Sequence, residues 1–95
     1  MIERYEREMG ISYKDFYRLL PIALKNIDYL VQGNCIKFKY CGGDIQIELG
    51  IERERKIASL VLPTVNVVFS FTDIVMTDIE EFLFQFDRTY QRGGG

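Results

Sequence analysis

Few side chains in this 95-residue chain could do chemistry, and their spacing limits what that chemistry could be. There is no histidine, so the commonest general base is missing and Ser-His or Cys-His pairs are excluded. The thiols are Cys35 and Cys41, which bound the run CIKFKYC. Its period-two alternation predicts one extended strand. At roughly 3.3 Å per residue their α-carbons lie about 20 Å apart, whereas a disulfide needs less than roughly 7 Å. Two reduced thiols fit a cytoplasmic protein. Cys41 sits close to Asp44, whose charge would raise its pKa and blunt it as a nucleophile. Asp73, Asp78, Glu80 and Glu81 could suggest a cation site, but the last three are explained by a helix start. Two cysteines without histidine leave zinc almost no ligands. Gly42-Gly43 lacks the lysine and following helix of a phosphate loop and reads as a turn. Glu52-Arg53-Glu54-Arg55-Lys56 reads as a solvated, charged connection. No catalytic, metal or cofactor-binding residue follows from these patterns, and the chain reads as no enzyme.

The elements that would position these residues are helices at both ends with strands between. In IERYEREMG, Ile2, Tyr5 and Met9 fall at helical spacing with Gly10 as a C-cap, predicting a short, frayed helix over residues 1–11. Ser12 and Asp15 read as the start of a second helix. Its stripe is Phe16, Leu19, Leu20, Ala23, Leu24 and Ile27, and Pro21 predicts a kink or break near Leu20. CIKFKYC-GG-DIQIELG reads as a hairpin turning at Gly42-Gly43. That register sets Tyr40 against Ile45, Phe38 against Ile47 and Ile36 against Leu49, with Lys37 facing Glu48 and Lys39 facing Gln46 on the other face. KIASLVLP and TVNVVFSF predict a second hairpin turning at Pro63-Thr64. YLVQGN adds a short edge strand. Thr77 caps a final helix whose stripe is Ile79, Phe82, Leu83, Phe86 and Tyr90. The expected fold is a single α+β domain spanning 1–95. It is a two-layer sandwich, an antiparallel meander of four to five strands with the N-terminal and C-terminal helices packed on one face.

Composition bounds the partners. Apolar residues make up 47% and charged residues 27% of the chain, ordinary for a folded domain. A net charge of −2 argues against nucleic-acid binding. No secretory signal or membrane span is visible, so a cytoplasmic location is expected. Two surfaces stand out from packing. Phe84 lies roughly 140° from Ile79 around the final helix, off its apolar stripe. The outer sheet face is expected to present Val61 and Val68 among Lys37 and Lys39, where a second subunit or a protein partner could dock. The function read from this is a non-enzymatic protein-interaction or adaptor module, with a homodimer as one form of it.

The ending Arg92-Gly93-Gly94-Gly95 raises a different chemistry. Its Arg-Gly-Gly resembles the terminus of ubiquitin-like sulfur carriers, which would imply use of the terminal carboxylate. That family ends on a strand, whereas a helix is expected before these glycines. Three successive glycines cannot extend a helix, each costing roughly 1 kcal/mol against alanine, so 93–95 is expected to be a flexible tail. The Phe86-Asp87 and QRGGG ending also resembles that of small bacterial proteins of unknown function, over about half the chain. A looser likeness, to type III secretion chaperones, would imply a small acidic dimer.

Overall fold

In the computed structural model, which describes residues 2–92, the chain opens with a strand. β1 (Ile2–Met9) sends Tyr5 and Met9 toward the core and Arg4, Glu6 and Glu8 to the open side. The helix expected over residues 1–11 is therefore replaced by a strand across Ile2–Met9. Tyr5 and Met9 are four apart, a spacing that suits one face of either element. So short a helix is marginal alone, whereas β1 lies along β6 (Leu60–Thr72) in unbroken register from Ile2↔Thr72 to Met9↔Val65. Gly10 forms the bend out of this strand rather than a helix cap.

α1 (Tyr13–Ala23) begins where expected, with the Ser12 hydroxyl accepting the Asp15 N–H at 3.1 Å. Pro21 lies inside it without breaking it. Near the helix end the lost donor matters little, and the Leu24 N–H still reaches the Leu20 carbonyl at 2.9 Å. Phe16, Leu19 and Leu20 form its buried stripe.

β2 (Tyr29–Gln32), β3 (Cys35–Tyr40) and β4 (Gly43–Leu49) form an antiparallel meander. The β3–β4 hairpin turns at Cys41-Gly42 rather than Gly42-Gly43, so Phe38 faces Ile45, Ile36 faces Ile47 and Lys37 faces Gln46. Cys41 and Gly42 both hold positive φ, 48° and 80°, as a two-residue hairpin turn requires. The slip of two residues leaves every side chain on its expected face.

β5 (Arg53–Ile57) pairs with the first part of β6, and the turn between them is Ala58-Ser59. Two expectations fail together here. Arg53 to Lys56 of the charged run belong to a strand instead of a loop, and Pro63-Thr64 lies within β6 instead of turning it. Proline is tolerated because β6 has one neighbour at that level, β5, with β1 ending at Met9↔Val65. Ala58 carries the turn at φ 55°, a conformation its residue type does not advertise.

β6 is the spine of the sheet, whose order is β1-β6-β4-β3-β2. β5 pairs with β6 off this path, making six strands against the four to five expected: β1 and β5 are added, and the two strands expected on either side of Pro63-Thr64 are one, β6. α2 (Met76–Arg92) starts one residue before Thr77, with the Asp78 and Ile79 N–H groups donating to the Val75 carbonyl. The two helices cover one face, giving the two-layer α+β sandwich that the patterning predicts. Phe16 stacks on Tyr90 at 5.1 Å, Phe69 meets Phe86 edge-on at 5.1 Å, and Phe82 packs on Phe38, Tyr40 and Phe71.

The Tyr90 hydroxyl donates to the Phe16 carbonyl at 2.8 Å, joining α2 to α1 inside the core. Burial, and then the neighbouring Tyr29 and Tyr17, push its pKa above the usual tyrosine value of 10.0. A neutral phenol is thus favoured when folded. Above about pH 10 the unfolded chain gives up its proton first, so stability falls as pH rises toward the folded pKa. Tyr90→Phe is expected to flatten this alkaline decline in urea titrations between neutral pH and about pH 11. At neutral pH it should cost about 1 kcal/mol for the lost hydrogen bond.

Candidate interaction surfaces

The residues singled out from the sequence fall on three separate surfaces. Lys37 and Lys39 lie on the open face of the sheet, from β3, and Val68 lies on the same face from β6, between Glu6 and Glu48. That face is polar. Lys39 pairs with Asp44 at 3.0 Å, and the Gln46 amide donates to Glu48 at 3.0 Å. A concavity of about 310 Å³ runs over it, lined by Arg4, Lys37, Asp44, Gln46, Glu48 and Ser70 among others.

Val61 does not join them. Counting back along β6, it shares the parity of Val65 and Val67, and its cross-strand partner is Lys56. Leu60 and Leu62 take the opposite parity. The expected turn at Pro63 would have reset the count, and no turn is there. Phe84 lies on the far side of the molecule, on the exposed back of α2, with the Arg88 guanidinium 5.7 Å above its ring. Arg92 is the last residue of α2, and the tail Gly93-Gly94-Gly95 lies outside the described residues.

Neither thiol is activated. Cys41 is exposed in the β3–β4 turn, and its pKa is pushed up by the surrounding protein and by Asp78 at the start of α2, not by Asp44. Burial raises Cys35, partly offset by Lys37. Among the described residues no group of three or more Cys, Asp or Glu is placed to hold a metal ion, and no helix is long and apolar enough to cross a membrane.

The surface that the sequence reading missed is the ribbon of β5 and the start of β6. β6 spans 13 residues, about 43 Å at 3.3 Å each, and accounts for the 46 Å length of a molecule otherwise 25 × 24 Å. All of β5 is exposed, and so are Ile57, Leu60, Val61 and Leu62. The base of this arm is braced. The Tyr13 N–H donates to Glu52 Oε1 at 2.6 Å, the Glu52 N–H donates to the Tyr13 hydroxyl at 3.1 Å, and Arg55 pairs with Glu8 of β1. Beyond the brace, a two-stranded ribbon presents apolar side chains on both faces with no layer over them. The one available signal was that Leu60-Val61-Leu62 fills both parities at once, which a half-covered strand does not need.

Comparison with protein-family models, with curated proteins and with solved structures finds no match to this chain.

Proposed function

We propose that this chain is a non-enzymatic protein-interaction module and that the β5–β6 arm is its contact element. The observation that carries this reading is the exposure of Ile57, Leu60 and Leu62 on one face, and of Val61 on the other, of a ribbon held out from the body. A two-stranded ribbon without a covering layer is marginal in water, and exposed contiguous apolar surface on a small domain marks a place where something docks. Arg53 and Lys56 lie on the same ribbon, on either side of Glu54 and the Glu8-paired Arg55, which suits a partner with an apolar centre and some acidic groups at its border.

The test is affinity capture from the cells that make the protein, comparing the native chain with Leu60→Ser/Leu62→Ser. Both positions are exposed, so the melting temperature should change by little, about 0.5 kcal/mol or less in stability. A partner retained by the native chain should be lost or weakened about tenfold or more, since hot-spot positions each cost roughly 1–2 kcal/mol. Equal capture by both chains would remove the arm from the reading.

A further inference from the structure

Among the described residues the outer edge of β1 is unpaired: β6 lies on one side, and the sheet ends on the other. Open edges are usually blunted by proline, a bulge, extreme shortness or charged side chains, inward-pointing ones included. β1 carries charge at Glu3, Arg4, Glu6, Arg7 and Glu8, which disfavours an apolar strand but not one whose charges are opposite in register. β2 at the opposite edge has only four residues, whereas β1 runs eight residues in unbroken register without a proline. Such an edge has backbone donors and acceptors ready for another strand.

The charges along this edge read as their own complement. Around Tyr5 the order is Glu3-Arg4-Tyr5-Glu6-Arg7. In an antiparallel pair of identical strands related by a two-fold axis, residues of like parity face each other, so the axis passes through a residue. With the axis at Tyr5, Arg4 faces Glu6 of the second copy on the open face, and Glu3 faces Arg7 of the second copy on the helix side. Each pair occurs twice. Moving the axis to Arg4 or to Glu6 places like charges against each other and breaks the opposite-charge set. One register alone pairs every charge between Glu3 and Arg7 with its opposite.

The contacts within the chain leave these groups available. Arg7 already bonds Asp87 of α2 and lies 5.7 Å from the Phe69 ring, and a guanidinium has donors to spare for a second carboxylate. Glu6 accepts one bond, from the Asn66 amide at 2.8 Å, with further acceptor capacity. Arg4 has Ser70 as its cross-strand neighbour, so no charge on β6 competes for it.

We infer that the β1 edge is a self-association site, at which a second copy of this chain adds its own β1 antiparallel about a two-fold axis at Tyr5 and makes one continuous sheet. The inference deepens the interaction-module reading but uses a different surface from the arm. In the resulting dimer the two arms project from opposite ends, free for other partners.

Sedimentation velocity over a wide concentration range tests it, with three variants. The native chain should pass from monomer to dimer. Arg4→Glu turns two opposite-charge pairs into like-charge pairs and should weaken the dimer about tenfold or more, with its melting temperature nearly unchanged. Arg4→Glu/Glu6→Arg restores complementarity and should recover the affinity to within about threefold. To fix the register, Arg4→Cys is mixed with Glu6→Cys, both in chains whose Cys35 and Cys41 are serine. Oxidation should join the two variants faster than it joins Arg4→Cys to itself. A monomer at every concentration, or a dimer indifferent to Arg4→Glu, overturns the inference. If Leu60→Ser/Leu62→Ser abolishes the dimer and Arg4→Glu does not, self-association belongs to the arm; the edge inference falls while the functional reading stands. If the dimer follows the charge swap but the arm variant keeps every partner, the edge inference stands and the arm is removed from the functional reading.

Discussion

Gly43→Ala is expected to destabilise the domain by about 3 kcal/mol, lowering the melting temperature by roughly 12–24 °C, whereas Gly42→Ala beside it should cost only about 1 kcal/mol. The two glycines look interchangeable in the sequence but serve different ends. Gly42 is in the turn at φ 80°, and a Cβ there would meet open space, so alanine pays only for its backbone conformation. Gly43 is the first residue of β4 and is buried. A Cβ on it would run into the carbonyl oxygens of Thr72 and Asp73 and into the Ile74 side chain. Two of these are backbone atoms at the end of β6, where Asp73 already holds φ 57°, so they have no rotamer by which to yield. Relief must come from parting β4 and β6 or from shifting the start of α2. Thermal unfolding of the two variants measures the contrast. Equal losses would mean that the hairpin turns on Gly42-Gly43 after all.

That contrast shows where the sequence was informative. Stripes on the long helices and the alternation of β3 and β4 gave the α+β class, the covered face and most of the core, because burial demands those periods wherever an element is half covered. Ile36, Phe38, Ile45, Ile47 and the Ile79 to Tyr90 stripe are all buried as the periods require. Failures came where a feature served two readings. Glycine marks both turns and close approaches, so the hairpin register slipped by two. Tyr5 and Met9 suited a helix as well as a strand, and only the long-range pairing with β6 decides between them. Pro63 looked like a turn because its tolerance depends on how many neighbours β6 has at that level, a property of the sheet and not of the segment. The Ala58-Ser59 turn has no residue signal at all. Of the candidate surface, Lys37, Lys39 and Val68 do share the open face. Val61 was lost with the turn; the arm was hidden by reading its charged run as a loop and by the turn expected at Pro63, and the β1 edge by reading its residues as a helix.

Phe86→Ala is expected to have the largest effect of any single side-chain truncation, about 3–5 kcal/mol. Phe86 is fully buried on α2. It meets Phe69 of β6 edge-on at 5.1 Å, Phe16 of α1 at 6.2 Å, and Phe82 and Tyr90 of its own helix at 5.9 and 4.5 Å. Removing the ring forfeits its transfer free energy, opens a cavity and ends several aromatic contacts together. Domains of this size have about 5–15 kcal/mol in all, so the variant should lie near the threshold of folding. Phe84→Ala, on the same helix but 57% exposed, should change stability by no more than about 0.5 kcal/mol. Denaturant unfolding followed by both far- and near-ultraviolet circular dichroism gives the comparison. Because Phe86 touches both helices and the central strand, its loss is felt across the two layers at once, and the two signals should still fall in one transition. A variant that kept its near-ultraviolet signal at native strength would show that α1 and α2 hold the sheet without this ring. Asp87 follows Phe86 and pairs with Arg7 on β1. The same core that fixes α2 therefore also fixes the charged edge at which a second copy would add.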